Sequence, residues 1–154
     1  MTAGRASKVG VTGAIGAGKS TWVRAEMAKR GWRTEEVRGF RTGWEGPREA
    51  GGRLFLATWD GRVLWRGEKR PAGGRPDAAG LPGAALEALA AKSAGGPLAI
   101  DELGLFEAGD ARLASAVKAA LEETSEAIVV VQARAMDAWR DALEELNEWR
   151  EIGT

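Results

Sequence analysis

The stretch KVGVTGAIGAGKSTWVRAEMAKRG, residues 8–31, limits what this chain can fold into more than any other. Its apolar opening, KVGVT (8–12), fits a parallel strand buried on both faces, which reads as a nearly unbroken hydrophobic run. From Lys19 to Arg30 the spacing of Trp22, Val23 and Met27 predicts a helix, with Gly31 as its stop. Between strand and helix lies GAIGAGKS (13–20), which fills the pattern G-x-x-x-x-G-K-[ST] at every fixed position.

Each residue type in that pattern has a physical reason. Gly13, Gly16 and Gly18 let the backbone turn and bring its N–H groups against phosphate oxygens with no Cβ in the way. The positive end of the following helix dipole points at the same anion. Lys19 supplies a point charge to the β- and γ-phosphates, and the Ser20 hydroxyl is placed to ligate magnesium (Mg2+). The alternative is a glycine turn that binds nothing; motif and flanking elements together favour phosphate. The candidate nucleotide-binding residues are therefore Gly13, Ala14, Ile15, Gly16, Ala17, Gly18, Lys19, Ser20 and Thr21.

The rest of the chain alternates in the same way. EEVRGFRT (35–42), LAI (98–100) and AIVVV (127–131) read as strands, and residues 53–66 read as a β-hairpin about Asp60-Gly61. Helical spacing is predicted over Ala84–Ser93, over Ala108–Glu123 and over Met136–Arg150, where Trp139, Leu143, Leu146 and Trp149 would share a face. Residues 44–52 and 67–83 are loop by their Gly and Pro content. The expected fold is α/β: three layers around a mostly parallel central sheet, with the hairpin as an insertion. With 154 residues a single domain, 1–154, is expected, preceded by a short tail over 1–7.

Composition removes several chemistries. The chain has no Cys and no His, which excludes disulfides, thiolate metal sites, Ser-His triads and most zinc chemistry. Its longest purely apolar run, AIVVV, is far too short to span a membrane, so a cytoplasmic protein without a membrane partner is expected. Net charge is zero, yet residues 1–75 carry 16 Lys/Arg against 7 Asp/Glu, and residues 76–154 carry 6 against 15. A basic N-terminal half suits an anionic ligand; an acidic C-terminal half suits solvated helix faces.

Carboxylates come directly after LAI, in IDELGLFE (100–107). A magnesium ion between two phosphates wants an oxygen from a second strand end, and Asp101 meets that need beside Ser20. Glu102, next to it, is positioned to orient and deprotonate a water aimed at the γ-phosphate. Glu107 is read as a supporting residue or a helix N-terminal charge.

Taken in order, GAIGAGKST, GFRT (39–42), REAGGRLF (48–55) and IDELGLFE resemble the P-loop nucleoside triphosphatases of the THEP type, over roughly residues 8–131. That family has a Gly-Phe-x-Thr segment, an Arg-bearing turn and an Asp-Glu-Ile-Gly-x-Met-Glu block. The resemblance implies a RecA-like core and magnesium-dependent hydrolysis of nucleoside triphosphates with little base selectivity. It makes Asp101 the metal-side carboxylate and Glu102 the catalytic base, adds Arg48 and Arg53 to Lys19 as charge-stabilising catalytic candidates, and places Gly104 in the supporting shell. The chain departs from the family in GWEGPRE after GFRT, where Glu-Val-Arg is usual, and in a C-terminus without a clear Asn-Arg-Asp segment.

Other features carry a functional and a plainer reading. Gln132, after AIVVV, either senses the γ-phosphate or caps the strand. Arg62, Arg66, Lys69, Arg70 and Arg75 make either a lid over phosphates or, the favoured reading, a charged edge that blocks sheet-to-sheet pairing. Trp44, Trp59 and Trp65 can stack on a base, with core or edge packing the favoured reading. Two competing functions are a small-molecule or nucleoside kinase and a nucleotide-dependent switch binding RNA or protein. Nothing resembles a stacking RNA platform, so nucleic acid is not indicated. A monomer acting on ATP, GTP or other nucleoside triphosphates is expected.

Overall fold

The computed structural model describes residues 7–14, 18–46, 52–68, 79–90, 96–104 and 109–153. Seven strands form one sheet: β1 (Lys8–Gly13), β2 (Arg38–Glu45), β3 (Arg53–Ala57), β4 (Val63–Arg66), β5 (Leu98–Leu103), β6 (Ala127–Val131) and β7 (Glu148–Ile152). Their spatial order is β4-β3-β2-β5-β6-β1-β7. The five strands from β2 to β7 in that order pair in parallel, and β3 and β4 continue the sheet antiparallel. Helices α1 (Lys19–Lys29), α2 (Leu81–Ala90), α3 (Ala111–Glu123) and α4 (Met136–Trp139) complete the main elements.

Alternation along the strands splits the core in two. Val9, Val11, Ala99, Ile128 and Val130 face one way and pack with Val23 and Met27 of α1. Leu98, Ile100, Ala127, Val129 and Val131 face the other way, with residues of α2, α3 and α4. A period of two puts successive side chains on opposite faces, so buried strands with helices on both sides make the three expected layers.

Boundaries differ from the sequence reading in instructive places. β5 runs past LAI to Leu103, so Asp101 and Glu102 lie within the strand rather than after it. β2 starts later, at Arg38, because Thr34–Glu36 forms a 3-10 turn first. The hairpin closes over residues 58–62, with Thr58 N donating to Arg62 O at 2.9 Å and Gly61 N to Thr58 O at 3.1 Å. α2 takes in Leu81–Gly83, which composition assigned to loop. Pro82 there sits in the first turn, where a missing N–H costs no helical hydrogen bond.

The helix expected over Met136–Arg150 is not formed. α4 ends at Trp139, a 3-10 turn covers Arg140–Leu143, and Glu148–Ile152 is β7. Trp139, Leu143 and Leu146 are buried as their spacing implied, but Trp149 is 42% exposed. Trp149 lies in register with Gly10 of β1, and its ring occupies the space a Cβ there would fill, at 2.5 Å. The free edge of β1 offers backbone partners that a helix end would leave unmet. Asn147 N already donates to Lys8 O at 2.9 Å as the strand begins.

Candidate functional site

Residues singled out from the sequence converge at the carboxyl edge of the parallel strands. β6 separates β1 from β5, so the loop after β1, the end of β5 and Gln132 after β6 lie side by side. Open parallel sheets bind ligands outside such strand ends.

Gly18 is the N-cap of α1 and sits at φ +95°, a left-handed conformation that side chains with a Cβ rarely adopt. Lys19 comes next, 9% exposed, and its ammonium donates to Gly13 O at 2.7 Å and Ala14 O at 3.3 Å. The same ammonium lies 3.9 Å from Glu102 Oε2. Ala14, Ser20 and Thr21 are exposed around it. Ile15, Gly16 and Ala17 lie outside the described residues.

Asp101 is 8% exposed and lies near the Ser20 hydroxyl, which favours its charged form. Burial pushes its pKa above the ordinary carboxylate value, and the negative charge of Glu102 adds to that rise. The Ser20 hydroxyl and the positive charges of Arg24 and Lys19 pull the other way. One carboxylate and one hydroxyl, close to each other, are a donor set that fits magnesium, which takes few protein oxygens and fills its octahedron with phosphate and water. Among the described residues there is no group of three acidic side chains to make an all-protein cage.

Glu102 is half-buried, and its peptide bond to Asp101 is cis. The Gln132 carboxamide donates to Glu102 Oε1 at 2.8 Å, while Lys19 faces the other oxygen. Gln132 reaches it because Gly104 has no side chain: a Cβ there would stand 2.8 Å from Gln132 Cδ and Oε1. Gln132 N also donates to Leu103 O at 2.9 Å, and Trp139 Nε1 donates to Gly104 O at 3.1 Å. Gly104 and Gln132 are thus part of the packing around Glu102.

Arg53 is not brought into this cluster. It is exposed at the start of β3, in register with Glu45, four positions along β2 from Arg41, which is in register with Asp101. At about 3.3 Å per residue that is roughly 13 Å beyond the carboxylate. There it lines a surface cleft of about 340 Å³ with Arg66, Gly67 and Glu68. Arg48 and Glu107 lie outside the described residues. Of the supposed lid, Arg62 and Arg66 pair with Glu87 and Glu45 on the surface.

Two residues near Asp101 escaped the sequence reading. Arg41 is the variable position of GFRT, and Arg24 stands one helical turn after Ser20, a spacing that shares a helix face. Both contribute to the electrostatics of Asp101 or feel its charge.

A family described as NTPase matches this chain over residues 8–152. No curated protein sequence matches it. Among solved structures, it is similar to THEP1 from the hyperthermophile Aquifex aeolicus, with 18% identity and a TM-score of 0.64 across 94% of this chain and 89% of that one. It is also similar to a human cancer-related nucleoside triphosphatase, with 20% identity and a TM-score of 0.58 across 97% of this chain and 89% of that one. At these identities the likeness to both is one of fold. Among the described residues no helix is long and apolar enough to cross a membrane.

Proposed function

This chain belongs to the NTPase family, and from that premise we propose that it hydrolyses the γ-phosphate of nucleoside triphosphates with magnesium and little preference among bases. The observation that carries the reading is the setting of Glu102. Its carboxylate is held between the Lys19 ammonium and the Gln132 carboxamide, one residue from the Ser20–Asp101 pair.

The phosphate chain lies along the amides of the 13–20 loop and the N-terminus of α1. Lys19 exchanges its contacts with Gly13 O and Ala14 O for phosphate oxygens. Ser20 and Asp101 would hold magnesium, which supplies charge neutralisation between the β- and γ-phosphates. Glu102 takes a proton from water as the water oxygen bonds to the γ-phosphorus; the bond to the bridging oxygen breaks, leaving nucleoside diphosphate and phosphate. Gln132 fixes the carboxylate so that its free lone pairs face the water. Arg53, exposed at the start of β3, is given no role in this scheme.

Low base selectivity is supported by the fate of the hairpin tryptophans. Trp59 is buried in the α1-side core, and Trp44 and Trp65 pack against the larger one. Among the described residues these rings are taken up by packing, which supports recognition through the phosphates. A panel of nucleoside triphosphates with magnesium tests this: turnover within about an order of magnitude across bases is expected, given how little a pocket without base contacts discriminates. In Glu102→Gln, phosphate release should fall by about 10²–10⁴ with magnesium-nucleotide binding retained. Undiminished turnover would sink the assignment.

A further inference from the structure

The antiparallel hairpin does more than extend the sheet. Phe40, Leu54 and Leu56 face the larger core, so Arg41 and Phe55, which alternate with them, face the α1 side. The Arg41 guanidinium lies over the Phe55 ring, 5.1 Å from its centroid. Gly43 makes that possible, since a Cβ there would stand 2.9 Å from Phe55 Cζ. Trp59, in the hairpin turn, is buried, and its Nε1 donates to Ala99 O of β5 at 2.8 Å. Above Trp59 lies the Arg24 guanidinium, 5.8 Å from the ring centroid. Ala99 and Asp101 share a face of β5, and Asp101 is the register partner of Arg41.

Two arginines from different elements, each seated on an aromatic ring of the hairpin segment, therefore flank one buried carboxylate. Among the described residues neither has an ion pair or hydrogen-bond partner, unlike Arg30, Arg33, Arg38 and Arg62. Stacking uses the face of a guanidinium and leaves the N–H groups on its edge free. Burial and the like charge of Arg24 both push the pKa of Arg41 down, with Asp101 opposing. Among the described residues Asp101 is the carboxylate whose charge acts on Arg41, Glu102 being engaged by Lys19 and Gln132, and the arrangement favours a further anion.

We propose that Arg24 and Arg41 form an oxyanion subsite beside Asp101, on its β2 side, that takes a phosphate dianion. Planar forks match phosphate oxygens in pairs, and two forks on fixed platforms match a tetrahedral group better than a flexible lysine. The dianion is either orthophosphate or the phosphate of a monoester. The subsite rests on the nucleotide reading only for its neighbour, since the 13–20 loop must hold a different phosphate.

The test is calorimetric titration of inorganic phosphate into the protein saturated with magnesium and ADP. One phosphate should bind, and Arg24→Gln or Arg41→Gln should each weaken it by about tenfold or more. Affinity for magnesium-ADP should stay within about threefold, because among the described residues neither arginine touches the loop. Arg41→Lys, which keeps the charge and loses the fork, should fall between. Arg24 is exposed on α1, so its variant keeps the test alive if Arg41→Gln fails to fold. Equal phosphate affinity in both Gln variants would overturn the proposal, as would phosphate binding that ADP abolishes. Competition by AMP marks a monoester site, and indifference to AMP marks a site for orthophosphate; either outcome supports an oxyanion subsite. Failure of nucleotide hydrolysis with intact phosphate binding would instead remove the proposed reaction and leave the subsite standing.

Discussion

Gly104→Ala is the sharpest probe of how the proposed base is held. The new Cβ would meet Gln132 at 2.8 Å from Cδ and Oε1 and 3.0 Å from Nε2. No real Cβ tolerates that approach, so the carboxamide must swing away and release Glu102 Oε1, to which it now donates at 2.8 Å. A hydrogen bond to a charged group is worth about 1.5–3 kcal/mol. If that energy orients Glu102 in the transition state, turnover should fall about 10- to 150-fold at 1.36 kcal/mol per decade. Stability should move little. Gly104 is not at positive φ, its carbonyl still accepts from Trp139 Nε1, and replacing Gly by Ala at a compatible site gains about 0.4–1 kcal/mol from the unfolded chain. The assay is phosphate release at saturating magnesium-nucleotide, with KM recorded and thermal unfolding run alongside. Gln132→Ala should lower kcat by a similar factor, and the double variant by little more, because both remove one contact. Full turnover in Gly104→Ala, or losses that multiply in the double variant, would refute the chain of contacts from Gly104 to Glu102.

The same geometry makes two further outcomes expected. Asp101 has a folded pKa raised by burial and by Glu102; the unfolded chain therefore releases that proton at lower pH, and stability is lost as pH rises from the ordinary carboxylate value through the folded one. Asp101→Asn should be more stable than the parent at neutral pH without ligands, should converge with it in acid, and should lose magnesium-dependent turnover; pH-dependent denaturant titrations check the sign. Trp59→Phe removes the Nε1 donor to Ala99 O and part of a buried ring, and should lower stability by about 1–3 kcal/mol, read as a shift in urea midpoint at constant slope.

How much the sequence disclosed depends on the range of the forces involved. The 13–20 loop was legible because strand, turn chemistry and helix are encoded within one short segment. The placement of Asp101 and Glu102 beside that loop was legible because they follow an apolar run that had to be a neighbouring parallel strand, although β5 runs on through both. The burial of Trp139, Leu143 and Leu146 was legible from spacing alone, yet the helix they suggested does not continue to Arg150. Of the three, Trp139 ends α4 and Leu143 ends the 3-10 turn, and the conformation of Glu148–Ile152 is decided by a distant partner, the open edge of β1. Short apolar segments do not reveal which sheet edge is vacant. Arg24 and Arg41 were hidden for the same reason. As letters they are two of many arginines, and only the folded hairpin sets an aromatic ring beneath each. Local sequence thus marks the turn proposed to grip a phosphate, whereas the pairing of β2 with both β5 and the hairpin decides which charges surround Asp101. Loosening the hairpin should therefore disturb those charges before it disturbs the 13–20 loop.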